Sequence, residues 1–510
     1  MPPWDAPAAS AALATINGAS AVPAPRLRVA FLNPQGNFDR HDSLWNTHPD
    51  FGGQLVYVKE LSVALSRLGV RVDIVTRRIG APGAWSRFAD ETDAYAHVPL
   101  VRIVRLPCGG DQLRDTFLPK EELWPWLDEW VDHILAFYRR PSEQLPQALV
   151  GHYGDGGYAA ARISEATGIP FLFTAHSLGA QKLDRLLHSG DAELAALVPR
   201  LAFAERLAAE RQAMARAHRI VVSTEQERVE QYAHPAYRDA IDVDRRRGDF
   251  VVIAPGVNRQ VFGRRPTYAR EAEVRERVVA ALARDIVPAS RRALPVVVLA
   301  SRLVRQKNHL AVLQAFRQDA VLRQHANVMI VTAVGCAHPE AARLLQQLRH
   351  EAATPPLHHC VCWMEIETQP ELGALYRTLA THYRGVFCLC ALYEPFGLAL
   401  LEAMASGLPV VATRHGGPSE SLRGRCGVLV DPKRPDDIAR GLKSLLLDRH
   451  EWHRRQALGH QRVAECYTWD AAASKYLKVT EEVVVAAAAA MMMMMRSASE
   501  VRERDGHATP

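Results

Sequence analysis

This sequence predicts an α/β chain folded as two doubly wound parallel sheets facing a cleft. Short apolar runs alternate with helical patterns from residue 27 onward, and the alternation pauses in a charged stretch at 270–292 before restarting at Pro295. With about 100 to 200 residues per domain as the usual scale, 510 residues are too many for one core.

The first run, LRVAFLNP at 27–34, reads as a strand that empties into a loop carrying Gly52, Gly53 and Gln54, and a helical pattern follows over 55–68. VRVDIVTRR, beginning at Val70, and VRIVRLP at 101–107 read as strands, and a Trp-rich helix covers 121–138. ALVGHY at 148–153, PFLFTAHS at 170–177, RIVVST at 219–224 and FVVIAPGV at 250–257 complete the first series. PVVVLASRL at 295–303 opens the second, which VMIVTAVG, HHCVCWM, GVFCLCAL, PVVAT and GVLVDP continue. In such sheets ligands bind beyond the carboxyl ends of the strands, so the loops after these runs are where chemistry belongs. The resulting boundaries are a disordered extension at 1–25, domains at 26–257 and 258–445, helices at 446–482 that carry Trp452 and Trp469 back across the junction, and a low-complexity tail at 483–510 that contributes no structure.

Composition narrows the function classes. Lys and Arg number 62 against 56 Asp and Glu, and the resulting +6 is spread without a long basic block, which argues against nucleic acid. The eight cysteines are scattered and partly inside apolar runs, so they read as reduced core thiols. His358, His359, Cys360 and Cys362 form the one metal-like cluster, but it lacks the second distant pair of a zinc site, and no metal is expected. Residues 1–25 are rich in Ala, Pro and Ser without a basic start or an apolar core, unlike a secretory signal. Val483 to Met495 is apolar for only 13 residues, against about 20 needed to cross a bilayer. A cytoplasmic protein without a membrane span is the expectation.

The strongest chemical signal is LYEPFGLALLEAMASGLP at 392–409. Pro395-Phe396-Gly397 makes a turn, Leu398 to Ser406 is rich in helix-favouring Ala, Leu and Met, and Gly407 stops the helix. A helix starting there aims unpaired N–H groups and its positive dipole end at a phosphate. Glu394, before the turn, is placed to accept from sugar hydroxyls, and Glu402, one turn into the helix, from a ribose pair. Alternatively, both are ordinary solvated charges. In SRLVRQKNH at 301–309, Arg302 and Lys307 follow a strand where they would hold a diphosphate, although such residues are commonly surface charges. The first domain offers Lys120, Lys182 and Arg206 for a phosphate dianion on a second substrate, each otherwise a helix-surface charge. His176 ends the FLFTA strand and is otherwise a packed histidine. The Gly52-Gly53-Gln54 turn would let the backbone approach a ligand.

Taken together these residues resemble the sucrose-phosphate synthase branch of the retaining GT-B glycosyltransferases, from about Arg26 to Leu477. The passages that carry the resemblance are FLNPQGNFDRHDSLWNTHPDFGGQLVYVKEL, FLPKEELWP, HYGDGGYAA, HSLGAQK, STEQERVEQY, APGVN, SRLVRQKNH and LYEPFGLALLEAMASGLPVVAT. It implies the GT-B arrangement of two Rossmann-like domains, and transfer of glucose from UDP-glucose to fructose 6-phosphate with retention at the anomeric carbon. By the same resemblance Arg302 and Lys307 bind the diphosphate, Glu402 the ribose, and Glu394 with the Phe396, Gly397 and Leu398 backbone the glucose. Gly53 and Gln54 line the meeting point of donor and acceptor. Lys120, Tyr153, Ser177, Lys182 and Arg206 form the acceptor site, and His176 lies beside the reacting sugar. A front-face attack, with the leaving phosphate helping to deprotonate the acceptor hydroxyl, is implied in place of a carboxylate nucleophile, with no cofactor or bound metal required.

Val304 stands where the family has an acidic residue, and Ala204 and Glu205 precede Arg206 in a segment that is often more basic. No phosphatase motif follows the transferase region, so a separate sucrose-phosphate phosphatase is the expected partner. The competing readings are a mannosylfructose-phosphate synthase using GDP-mannose, a sucrose synthase using free fructose, and a catalytically silent sugar-nucleotide sensor.

Overall fold

The computed structural model describes residues 25–506 other than 46, 47, 49, 114, 189–195, 197, 266, 267 and 334–338. The proposed extension at 1–25 therefore lies, but for its last residue, outside the described residues, as do 507–510.

Two parallel sheets organise the chain. The first contains β1 (Leu27–Leu32), β2 (Val70–Arg77), β3 (Thr92–Ala94), β4 (Val101–Leu106), β5 (Ala148–His152), β6 (Phe171–Thr174), β7 (Arg219–Val222) and β8 (Phe250–Val252), in the order β3-β4-β2-β1-β5-β6-β7-β8. The second contains β9 (Val296–Ala300), β10 (Asn327–Ala333), β11 (Val361–Ile366), β12 (Val386–Leu389), β13 (Val410–Thr413) and β14 (Val428–Val430), in the order β11-β10-β9-β12-β13-β14. Strands covered on both faces read as continuous apolar runs, and the VVVLA of β9 is buried at every position. The strand order reverses beside β1, which pairs Val29 with both Val72 and Ala148, and beside β9, which pairs with β10 and β12. These are the switch points at which such sheets open a crevice.

β3 has no counterpart in the sequence reading. It is three residues long, polar, and antiparallel to β4, so no apolar alternation announces it. Its Asp93 lies 3.0 Å from the guanidinium of Arg105, a fully buried residue of β4. An interior charge at the sheet edge is thereby neutralised.

The chain crosses from the second sheet back to the first near Thr468, which bridges Val257. A Cβ on Gly256 would fall 2.1 Å from the Trp469 nitrogen, so only glycine permits that crossing. Trp452 packs into the second domain, whereas Trp469, Ala473 and Tyr476 belong to the core of the first, where the Tyr476 and Thr174 hydroxyls meet at 2.6 Å. The helix beginning at Trp469 runs without interruption to Gly506. This corrects the expectation of an unstructured tail from residue 483. Val483 is 2% exposed against the first domain, and the Ala and Met run beyond it extends a helix already nucleated, which those residues favour.

All seven described cysteines are free thiols and Cys336 lies outside the described residues. Cys360 and Cys362 belong to separate cores, and among the described residues no group of three or more His, Cys, Asp or Glu is arranged to hold a metal. No helix among the described residues is long and apolar enough to cross a membrane.

Candidate active site

The residues singled out in the sequence emerge from carboxyl ends of strands in both sheets. Beyond β9, a turn of 3-10 helix at Arg305–Lys307 ends on Asn308, whose backbone is left-handed (φ 59°). The Asn308 amide holds that conformation by donating to the carbonyls of Cys390 and Pro432 at 3.0 and 2.8 Å. Lys307 is thereby aimed at Glu394, with Nζ 2.5 Å from Oε2 and only 18% and 10% of the two side chains exposed. Arg302 is solvent-exposed at the mouth of the same loop.

Glu394 is fixed through its backbone. It forms a parallel bridge with Gly416, and Gly417 N–H donates to its carbonyl at 2.9 Å. A Cβ on Gly416 would lie 2.1 Å from that carbonyl oxygen, and one on Gly417 would lie 2.5 Å from the Phe396 Cα. This pair of glycines after β13 was absent from the sequence reading, although two glycines at a strand's carboxyl end are a signal of close backbone approach. Gly397 adopts φ 93° and starts the helix Leu398–Ala405, which no side chain caps. The positive end of that helix and its first N–H groups therefore stand beside the Lys307–Glu394 pair. Glu402 sits one turn further in, where burial without a neighbouring cation pushes its carboxyl up to about 7.

The first domain supplies the facing wall. Ser177 N–H donates to the Ala175 carbonyl at 2.6 Å around His176, whose φ of 58° is unusual for a non-glycine residue. This tight turn stacks His176 on His152, which the sequence reading did not single out, with Nε2 2.9 Å from the His152 Nδ1. Burial holds both imidazoles neutral, with His176 down to about 3 and His152 well below the ordinary range, so one ring donates to the other. Tyr153, also left-handed at φ 65°, stacks on His176 at 5.8 Å and accepts from Ser177 Oγ at 3.4 Å.

Arg206 lies under this group, 5.4 Å from the Tyr153 ring centre, and donates to the Ser177 carbonyl at 2.8 Å. Its Nε is 2.8 Å from Glu210, a fully buried carboxylate that also accepts from Gly179 N–H and from the Tyr237 hydroxyl. Because Glu210 has no route to water, Glu210→Ala strands the Arg206 charge. Unfolding in urea is expected to show a loss of about 3 to 5 kcal/mol, and a loss below 1 kcal/mol would mean that Arg206 finds another partner.

Lys120 is tied to Asp50 at 2.9 Å, which raises its ammonium despite desolvation. Among the described residues Lys182 has no such partner. Its side chain reaches solvent, yet desolvation by the surrounding wall, followed by the repulsion of Arg206 and Lys120 and a smaller share from Arg302, draws it down to about 8. Lys182 and Arg302 therefore feel each other across the two domains. Gly53 starts the helix Gly53–Arg67, and a Cβ there would meet nothing within 4 Å, while Gln54 Nε2 is buried without a hydrogen-bond partner.

The two walls touch. Gln231 Nε2 donates to the Tyr393 hydroxyl at 3.3 Å, the Arg185 guanidinium covers the Tyr393 ring at 3.8 Å, and Ser419 Oγ donates to Gln226 at 2.7 Å. The residue next to Glu394 is thus anchored on the opposite domain.

Comparison with known proteins accords with this geometry. The family model described as Glycosyl transferases group 1 matches residues 287–461, and that described as Glycosyl transferase 4-like domain matches 52–244. A Thermosipho melanesiensis protein named "Probable sucrose-phosphate synthase" is 40% identical over 89% of this chain and 97% of its own length. Sucrose-phosphate synthase 4 of Arabidopsis thaliana is 30% identical over 85% of this chain, which spans about half (45%) of that longer relative. Among solved structures, a sucrose-phosphate synthase from Thermosynechococcus elongatus superposes with a TM-score of 0.68 at 22% identity, covering 90% of this chain and all of that one. The Anabaena protein HepE, solved with UDP and glucose, gives a TM-score of 0.60 at 14% identity over 90% of this chain and all of HepE, a likeness of fold alone. The chain belongs to the sucrose-phosphate synthase family of GT-B glycosyltransferases.

Proposed function

We propose that this chain transfers glucose from UDP-glucose to fructose 6-phosphate, forming sucrose 6-phosphate and UDP with retention at the anomeric carbon. The observation that carries the reading is the cationic group Lys120, Lys182 and Arg206 on the first domain, set opposite the Lys307–Glu394 pair and the uncapped helix on the second. One wall suits an acceptor phosphate and the other a nucleoside diphosphate.

In this reading Arg302, Lys307 and the N-terminus of Leu398–Ala405 neutralise the diphosphate as it departs, without a metal. Glu402 accepts from the ribose, and its elevated carboxyl ionises as those hydroxyls approach. Glu394 and the Phe396–Leu398 backbone hold the glucose. Gln54 offers its unpaired amide, and nothing in the protein itself demands glycine at Gly53, which favours a ligand passing close to that backbone. His176, held neutral, donates or accepts a hydrogen bond at the transferring sugar. The acceptor hydroxyl attacks the anomeric carbon on the face the diphosphate leaves, its proton passes to a phosphate oxygen, and the carbon–oxygen bond to UDP breaks. No carboxylate takes the part of a covalent nucleophile. Hydrolysis of the product's phosphate falls to a separate phosphatase.

The test is product formation from UDP-glucose with fructose 6-phosphate, beside fructose alone and beside GDP-mannose as donor. Sucrose 6-phosphate is expected from the first reaction, with only a weak reaction from unphosphorylated fructose and none from GDP-mannose. Product from GDP-mannose or from unphosphorylated fructose instead would overturn the substrate assignment while leaving the two-walled cleft in place, and no product in any reaction would favour a sensor.

A further inference from the structure

His152 is an interior histidine beneath His176, and the first sheet fixes its place there. It is the last residue of β5, registered against Thr174 of β6, and is fully buried. Two residues beyond Thr174 the backbone turns sharply, Ser177 N–H donating to the Ala175 carbonyl across His176, whose φ is positive. A three-residue turn of this hand is rare and strained. It folds the His176 ring back onto His152, with centroids 5.1 Å apart and planes inclined by 22°, so that the His152 Nδ1 meets the His176 Nε2 at 2.9 Å.

The other nitrogen of each ring decides what this contact does. Burial keeps both imidazoles neutral, so each carries a single proton. If His176 donated from Nε2, His152 would have to carry its own proton on Nε2. That atom is buried and has no hydrogen-bond partner among the described residues, and the rings packed against His152 include Phe31 at 5.0 Å and Tyr57 at 6.1 Å. Buried N–H donors without an acceptor are rarer in folded proteins than acceptors left short of a donor. The proton of His152 therefore sits on Nδ1 and is donated to His176 Nε2, which leaves the proton of His176 on Nδ1. His176 Nδ1 makes no hydrogen bond among the described residues and keeps contact with solvent. It stands beyond the carboxyl end of β6, where Ser177 follows it in the chain and the Tyr153 ring stacks on it.

We infer that His152 is a positioning residue, holding His176 in the tautomer that presents an N–H donor, and not an acceptor, to an oxygen of the transferring sugar. The inference rests on the reading that places His176 beside that sugar. His176 is then a fixed dipole aimed at the oxygen, and its proton stays on the ring throughout the transfer. A His152 that only filled space between Phe31 and Tyr57 could be replaced by any side chain of similar size.

The test joins nitrogen NMR of the full chain, grown with isotope-labelled histidine, to steady-state kinetics. The ring signals that vanish in His176→Gln assign His176, and in the wild type at neutral pH they are expected to show a protonated Nδ1 and a bare Nε2. That spectrum decides the tautomer whether or not the His152 variants fold. His152→Leu removes the donor and is expected to leave His176 in a mixture of tautomers. Its kcat should fall about tenfold, as for one lost hydrogen bond, with KM for fructose 6-phosphate changed by less than about threefold. His152→Asn, whose side-chain amide donates from nearly the place of Nδ1, is expected to restore a single His176 tautomer and a kcat within about threefold of the wild type. Wild-type rates in His176→Ala would overturn the reading on which the inference rests. A large loss in His176→Ala accompanied by a proton on Nε2 of His176 in the wild type, or by equal rates in His152→Leu and His152→Asn, would overturn the inference alone.

Discussion

Lys307→Ala is expected to lower kcat/KM for the donor by two to three orders of magnitude, the largest single effect in this molecule. The departing diphosphate gains negative charge as the glycosidic bond breaks, and a preorganised donor at such a centre contributes about 3 to 4 kcal/mol. Lys307 is preorganised by the left-handed Asn308 behind it and by Glu394 at 2.5 Å in front. Removing the lysine also leaves Glu394 as a largely buried carboxylate without its cation, so stability falls too. Lys307→Ala combined with Glu394→Gln separates the effects. The double variant should recover much of the thermal stability and none of the activity, because the diphosphate still lacks its charge and the glucose its carboxylate. Rates within threefold of the wild type in either variant would exclude Lys307 from the leaving-group site.

The alternation of apolar runs revealed thirteen of the fourteen strands among the described residues, most clearly those covered on both faces, which read as continuous apolar runs. β3 was invisible since its role is electrostatic, bringing Asp93 to Arg105 across a sheet edge. The loop proposed for the donor was legible as a turn and helix, Glu394, a Pro-Phe-Gly turn and a helix-forming run being contiguous in sequence. What positions that loop was not: Gly416, Gly417, Asn308 and Tyr393 act through backbone approaches and contacts between segments that only the fold brings together. The same holds for His152, which reads as one strand residue among others until β5 and β6 set it 2.9 Å from His176. Arg206 was found as a basic residue on a helix, but its buried partner Glu210 lies one turn along the same helix and on the inner face. The end of the chain was misjudged for a different reason. A low-complexity run has no pattern of its own, yet it continues a helix that Trp469 and Tyr476 anchor in the first domain.

Lys182→Ala is expected to raise KM for fructose 6-phosphate about tenfold to a hundredfold and to leave the weak reaction with unphosphorylated fructose unchanged. A hydrogen bond between charged groups contributes about 1.5 to 3 kcal/mol, and of the three cations assigned to the acceptor phosphate Lys182 alone has no carboxylate partner among the described residues, whereas Lys120 has Asp50 and Arg206 has Glu210. The contrast between the two acceptors isolates the phosphate from the ring. Lys182 also sets a pH limit. Desolvation and the neighbouring Arg206, Lys120 and Arg302 bring its ammonium to about 8, so it is charged below that value and loses its proton as pH rises through it. The acceptor phosphate is a dianion above about pH 6. Capture of the acceptor is therefore strongest between these values, and kcat/KM for fructose 6-phosphate should fall above about pH 8 in the wild type. A bound dianion stabilises the ammonium and raises its pKa again, so kcat at saturating acceptor should lack that limb. In Lys182→Ala the alkaline fall of kcat/KM should vanish along with the tenfold or greater loss. An unchanged alkaline limb in the variant, or an equal loss with fructose and with fructose 6-phosphate, would remove Lys182 from the acceptor phosphate and leave Arg206 and Lys120 to hold it against their own carboxylates.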